Sequence, residues 1–91
     1  MESQNSWCVY ILRCKNDSLY TGITNRIEHR LNAHTQGTGS RFVRSHLPFE
    51  LAKVIPCSNE KEARWLEYRI KNLNRVNKIK LLSIIDIKTS S

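Results

Sequence analysis

Three residues near the start of the chain stand ten positions apart, Tyr10, Tyr20 and Arg30, with His34 four beyond the arginine and Glu67 well downstream. Phenol, guanidinium, imidazole and carboxylate are groups that phosphodiester hydrolysis can use. That reaction needs an oriented water, stabilisation of charge on phosphorus and help for the leaving oxygen. Each residue also has an ordinary role open to it. Strand tyrosines commonly anchor sheets, Glu67 with Lys71 makes a favourable i,i+4 helix pair, Arg30 could bridge to Glu28 or Glu67, and a lone helix histidine usually serves packing.

The elements that must position these groups follow from local pattern. Residues 7–13 are aromatic and β-branched, nearly apolar on both faces, and read as a central strand. Turn chemistry over 15–18 leads to a return strand over 19–23. Strand side chains alternate in direction, so the two tyrosines share a face only if the hairpin loop has an odd number of residues. A three-residue loop, Lys15 to Asp17, sets Leu12 opposite Tyr20 and Tyr10 opposite Gly22. Gly22 then leaves space for the Tyr10 ring.

Asn25-Arg26-Ile27-Glu28 has the form of a capping box and opens a helix ending near Gly37. Ile27 and Leu31 define its buried stripe, with Arg30 and His34 along the margin. Residues 37–40 connect to one short helical turn over 41–44 and lack the Lys-Ser or Lys-Thr of a phosphate-binding loop. Pro48 and Pro56 bracket a third strand over 49–55. Asn59 to Glu62 repeats the capping signature before the longest helix, whose core stripe is Ala63, Leu66, Ile70 and Leu73, with Glu67 at its margin. Asn74 caps a last helix with Val76, Ile79 and Leu82 at helical spacing, widened by Leu81 and Ile85. The order β-β-α-β-α-α predicts an α+β fold in one domain over 7–85: a three-stranded antiparallel sheet flanked by helices, between a flexible leader over 1–6 and a frayed tail over 86–91.

This pattern resembles the GIY-YIG nuclease family. The resemblance rests on the aromatic first strand with Tyr10, the second strand with Tyr20-Thr21-Gly22, Arg30 on the next helix, and Glu62-Ala63-Arg64-Trp65-Leu66-Glu67-Tyr68-Arg69-Ile70-Lys71. It covers roughly residues 7 to 85 and is closest in detail to the small stand-alone bacterial members. It implies a metal-dependent endonuclease in which Glu67 holds a single divalent ion, Mg2+ or Mn2+, and Arg30 contacts the scissile phosphate. One of Tyr10 and Tyr20 would orient or deprotonate the water, the assignment between them staying open. His34, where the family carries histidine or tyrosine, could shuttle a proton. Two departures are visible: Cys8-Val9-Tyr10 stands for the family's Gly-Ile-Tyr, and Thr21 for the middle Ile of the second triplet. Where the family has a lysine or similar group after the glycine, this chain has Ile23, and Arg26 is the nearby charge.

Composition agrees with such a role. Ninety-one residues suit one domain, and 15 Lys plus Arg against 8 Asp plus Glu leave a net charge of +7. That excess favours a polyanionic partner, with Arg26, Arg41, Arg44 and Lys71 as backbone contacts, and the resemblance implies DNA before RNA. A basic nucleic-acid-binding module without turnover is the alternative. Cys8, Cys14 and Cys57 are odd in number and form no C-x-x-C pair, which argues against a disulfide framework or zinc knuckle and for a reducing cytoplasm. No apolar run approaches bilayer length, so no membrane role is expected.

Overall fold

The computed structural model describes residues 6–90, so the expected leader lies, apart from Ser6, outside the described residues. The sheet is built on β1 (Cys8–Arg13), which pairs antiparallel with β2 (Leu19–Thr24) on one side and β3 (Glu50–Pro56) on the other, giving the order β2-β1-β3. A strand flanked on both edges and covered on both faces must be apolar throughout, and every residue of β1 except Arg13 is buried. The third strand departs from regularity once. Its register slips between Ile11 and Leu12, leaving Ala52 as an extra residue between Leu51 and Lys53.

The hairpin takes the three-residue form. Lys15–Asp17 makes a 3-10 turn in which Asn16 and Asp17 have φ of 62° and 60°, a conformation Asn and Asp tolerate better than most residues. The Cys14 amide closes it by donating to the Ser18 carbonyl at 2.7 Å. Tyr10 therefore lies opposite Gly22 and Leu12 opposite Tyr20, the predicted register.

Alternation along β1 divides the interior in two. Tyr10, Leu12 and Cys14 face α1 (Ile27–Thr35) and α2 (Arg41–Ser45), packing with Val43 and the half-buried Tyr20, Ile27, Leu31 and Phe49. Val9 and Ile11 face α3 (Glu60–Lys71) and α4 (Arg75–Ser90), packing with Ala63, Ile70 and Leu82. Each fully buried aliphatic side chain there stabilises the fold by about 1.5–3 kcal/mol.

Helix ends follow the capping logic with one correction. Asn25 does not cap α1; Arg26 takes that position without a side-chain bond, and the Arg26 amide donates to Thr24 Oγ1 at 3.0 Å. The exit from β2 leaves Asn25 one residue too early, and the threonine hydroxyl organises the turn instead. The other end of α1 stops at a Schellman motif. Gly37 has φ of 81°, its amide donates to the His34 carbonyl at 3.1 Å, and the Thr38 amide donates to that of Ala33 at 2.9 Å. Asn59 and Asn74 cap as predicted, accepting from the Glu62 and Asn77 amides at 2.8 and 2.9 Å. The Glu62 carboxylate accepts from the Ser58 amide rather than that of Asn59.

The predicted stripe on α4 is corrected in part. Arg75 donates to the Asp17 carbonyl at 2.9 Å, tying the first turn to the hairpin loop, and Val76 and Ile79 remain exposed. Leu82 and Leu81 join the aliphatic cluster further along; the side chain of Ile85 lies outside the described ones. The helix is assigned through Ser90, and neither glycine nor proline follows Arg75 in the sequence. Among the described residues no helix is long and apolar enough to cross a membrane, and no disulfide joins Cys8, Cys14 or Cys57.

Candidate active site

On the α1/α2 face the matched parity of β1 and β2 aims Tyr10 and Tyr20 at the same layer, with ring centroids 6.2 Å apart and planes tilted by 47°. Tyr10 is 2% exposed, and its Oη lies 2.9 Å from His34 Nε2. Gly22 makes this possible. A Cβ at that position would fall 2.6 Å from Tyr10 Oη, inside any tolerable contact, so the phenol crosses β2 only where a side chain is missing. Burial foremost, and then the neighbouring Tyr20, raise the Tyr10 pKa far above that of a free phenol. Its proton therefore stays on at neutral pH.

His34 departs most from its predicted place. It sits at the centre of the layer, 1% exposed, rather than at the helix margin. Seven residues separate it from Ile27, which returns it to the same side of α1. Its ring is 5.8 Å from that of Tyr10, 5.5 Å from Tyr20 and 6.0 Å from Phe49. Burial, then the charge of Arg30, lowers its pKa, so the imidazole is neutral. Among the described residues Nδ1 has no hydrogen-bond partner, and a Cβ on Gly39 would fall 2.7 Å from it. An orphaned N–H costs more than an orphaned lone pair, which favours the tautomer with the proton on Nε2, donating to Tyr10 Oη. A neutral, enclosed imidazole is badly placed to carry protons to solvent. What its geometry provides is a hold on Tyr10.

Arg30, half-buried one turn before His34, completes the group. Its charge acts on Tyr10 and His34 alike. Among the described residues it makes no ion pair, with Glu28 and Glu67 included. A sheltered guanidinium without a carboxylate partner is available to an anion.

Glu67 comes from the other layer. It stands at the margin of the buried side of α3, and its Oε2 is 3.1 Å from Lys71 Nζ. Lys71 in turn lines a hollow of about 220 Å³ at the β2 edge, together with Leu19, Tyr20, Thr21, Phe42 and Lys78. This brings the Glu67–Lys71 pair to the Tyr20 end of the site. Among the described residues no three His, Cys, Asp or Glu side chains gather into a metal cage. The donor set fits an ion held by one carboxylate and completed by phosphate and water oxygens, as magnesium commonly is. Sulfur chemistry has no support, since burial raises the Cys14 and Cys57 pKa values and keeps the thiols protonated.

Arg41 and Arg44 are exposed on α2 and Arg26 is exposed at the start of α1. Between the two α2 arginines, Phe42 faces the hollow, stacked on His46 at 4.2 Å and 12°. Sequence reasoning missed Phe42, Phe49, Gly39 and Lys78. The alternation Arg41-Phe42-Val43-Arg44 carried a signal for the first, an aromatic between cations. The others depend on contacts between elements and left no local trace.

Comparison with known proteins adds an independent line. The family profile described as the GIY-YIG catalytic domain matches residues 6–80. A UPF0213 protein of Oceanobacillus iheyensis is 51% identical over 74 residues, covering 81% of this chain and 86% of that protein. One from Clostridium perfringens is 45% identical over 80 residues, covering 88% and 86%. The solution NMR structure of a UPF0213 protein from Bacillus halodurans is 37% identical and matches with a TM-score of 0.59, covering 87% of this chain and 84% of that one.

Proposed function

The chain belongs to the GIY-YIG family, and on that premise we propose that it is an endonuclease hydrolysing phosphodiester bonds in DNA with one divalent ion, Mg2+ or Mn2+. The observation that carries this reading is the convergence of Tyr10, Tyr20, His34 and Arg30 on one sheet face beside a lysine-lined hollow. In the reaction one water adds to phosphorus, the bond to one sugar oxygen breaks, and the water's proton ends on that oxygen. Tyr20 lines the hollow, so it is the phenol that orients the water. Tyr10, buried and protonated, holds the layer around Tyr20 in register with His34 behind it. The Arg30 guanidinium takes up charge building on the non-bridging oxygens, its planar fork suited to two parallel hydrogen bonds.

Glu67 would hold the ion, which when bound supplies Lewis acidity toward a phosphate oxygen. Lys71, now paired with Glu67, would then turn to the nucleic-acid backbone. Arg26, Arg41 and Arg44 add contacts to phosphate, which carry no base information, so selection is by shape rather than sequence. The reducing cytoplasm is the compartment that suits the unbridged thiols.

Incubating the protein with plasmid, single-stranded and branched DNA in Mg2+ or Mn2+ tests the reading. Wild type should cut. Glu67→Ala should abolish cutting and retain binding, and Arg30→Ala should weaken both. Cutting that persists in both variants would point to a contaminant, and binding without cutting by wild type would favour a non-catalytic binding module.

A further inference from the structure

The hollow at the β2 edge has features that hydrolysis alone leaves unused. Phe42 keeps 39% of its surface exposed although a buried cluster lies beneath α2. His46 backs one face of the ring at 4.2 Å and 12°, and His46 Nδ1 lies 2.8 Å from the Phe42 carbonyl, so the plate is braced. The Tyr20 ring lies 6.0 Å from that of Phe42 and is tilted by 23°. Lys71 from α3, whose Nζ is 3.1 Å from Glu67 Oε2, and Lys78 from α4 complete the wall. Two nearly parallel aromatic plates beside two ammonium groups are complementary to one base and its flanking phosphates.

We infer that this hollow is a nucleotide subsite in which Phe42 and Tyr20 stack one unpaired base of the substrate strand while Lys71 and Lys78 hold its phosphates. The inference rests on the nuclease reading for the identity of the polyanion and adds the substrate class. A base inside a duplex has both faces covered by its neighbours. Offering one face to Phe42 means leaving the stack, which costs least where the strand is already single. At about 220 Å³ the hollow is smaller than the ~300–1,000 Å³ of drug-sized pockets, a size suited to one base. The substrate is then a strand with an unpaired nucleotide next to the broken link: a single strand, a flap or a frayed end.

Fluorescence anisotropy in EDTA tests this without any cutting. Three labelled probes are compared: a single strand of about 12 nucleotides, within the span of known single-strand sites, the blunt duplex of the same sequence, and that duplex with an unpaired tail. Wild type should bind the single strand and the tailed duplex about tenfold more tightly than the blunt duplex, the scale of one stacked base. Phe42→Ala should erase that preference while changing blunt-duplex affinity less than about twofold, and Phe42→Trp, which keeps a plate, should retain it. Lys78→Ala should reduce the salt dependence by about one phosphate contact. Equal loss on single strand and blunt duplex in Phe42→Ala, no loss at all, or loss of the preference in Phe42→Trp overturns the subsite. The two proposals fail separately. A wild type that never cuts leaves the binding result standing, and one that cuts while Phe42→Ala keeps its preference removes the subsite alone.

Discussion

Val9 and Ile11 point to one side of β1, Tyr10 and Leu12 to the other, and the two sides differ in kind. Against α3 and α4 the cluster is aliphatic: Val9, Ile11, Ala63, Ile70 and Leu82. Against α1 and α2 the same strand meets phenols, an imidazole, a phenylalanine and the half-buried Arg30. The first side is mainly aliphatic, with Thr21 and Lys53, both paired with Ile11 in the sheet, as its buried polar members. The second contains groups that must be hydrogen-bonded, and among the described residues it leaves His34 Nδ1 without a partner. Period-two alternation of one shared strand thus puts most of the aliphatic packing on one side and the tyrosine–histidine group on the other, with Glu67 reaching the site from the aliphatic layer.

The sharpest way to break this comparison is a pair of substitutions that should act on opposite sides. Ile11→Ala should cost about 2–5 kcal/mol of stability, lowering the melting temperature by roughly 10 °C or more, while cleavage per folded molecule stays near wild type. Arg30→Ala should do the reverse, reducing cleavage about 10²–10³-fold in steady-state assays with little change in melting temperature. Equal damage to both properties in either variant would mean that the layers are not separable.

Gly22→Ala tests the seam between them. The added methyl meets Tyr10 Oη at 2.6 Å, and the ring is too enclosed to retreat. Overpacking of this kind costs about 1–3 kcal/mol, and cleavage should fall by more than the loss of folded protein explains. Tyr10→Phe strands His34 Nε2 and should cost about 1–3 kcal/mol by denaturant titration, without overpacking.

The smallest effect is in pH. The folded state lowers the His34 pKa, so below about 6.5 the unfolded chain takes up a proton that the folded one resists. The stability His34 contributes is complete above that pH and is lost as pH falls toward the folded value. Thermal melts at pH 7.5 and 5.5 should show a decline, by at most about 1.4 kcal/mol per pH unit from this single proton. The decline should be shallower in His34→Gln. An identical slope in both proteins would assign the effect to other groups.

Much of this was legible from residue order. The hairpin register followed from two local inputs: parity, which lets Tyr10 and Tyr20 share a face only across an odd loop, and the turn chemistry of Lys15 to Asp17, which supplies a three-residue one. Asn59 and Asn74 announced their helices, since a cap bonds within its own turn. Asn25 carried the same local signal and failed, displaced by the Thr24 hydroxyl at the end of a strand whose exit angle the sequence does not encode locally. His34 was misplaced although its seven-residue offset from Ile27 was countable.

By itself the sequence determined the elements, the central strand, the shared face of the two tyrosines and the need for a bare backbone at Gly22. These rest on interactions a few residues apart or on strand pairing across one short loop. Only the tertiary structure decided that His34 is sealed behind Tyr10 with Gly39 over it, and that Phe42, Lys71 and Lys78 meet around Tyr20. The contacts around His34 join α1 to the strand beneath it and the loop that follows, and those around Tyr20 join helices on opposite faces of the sheet. Their geometry is set by how layers pack, which no single segment of the chain specifies.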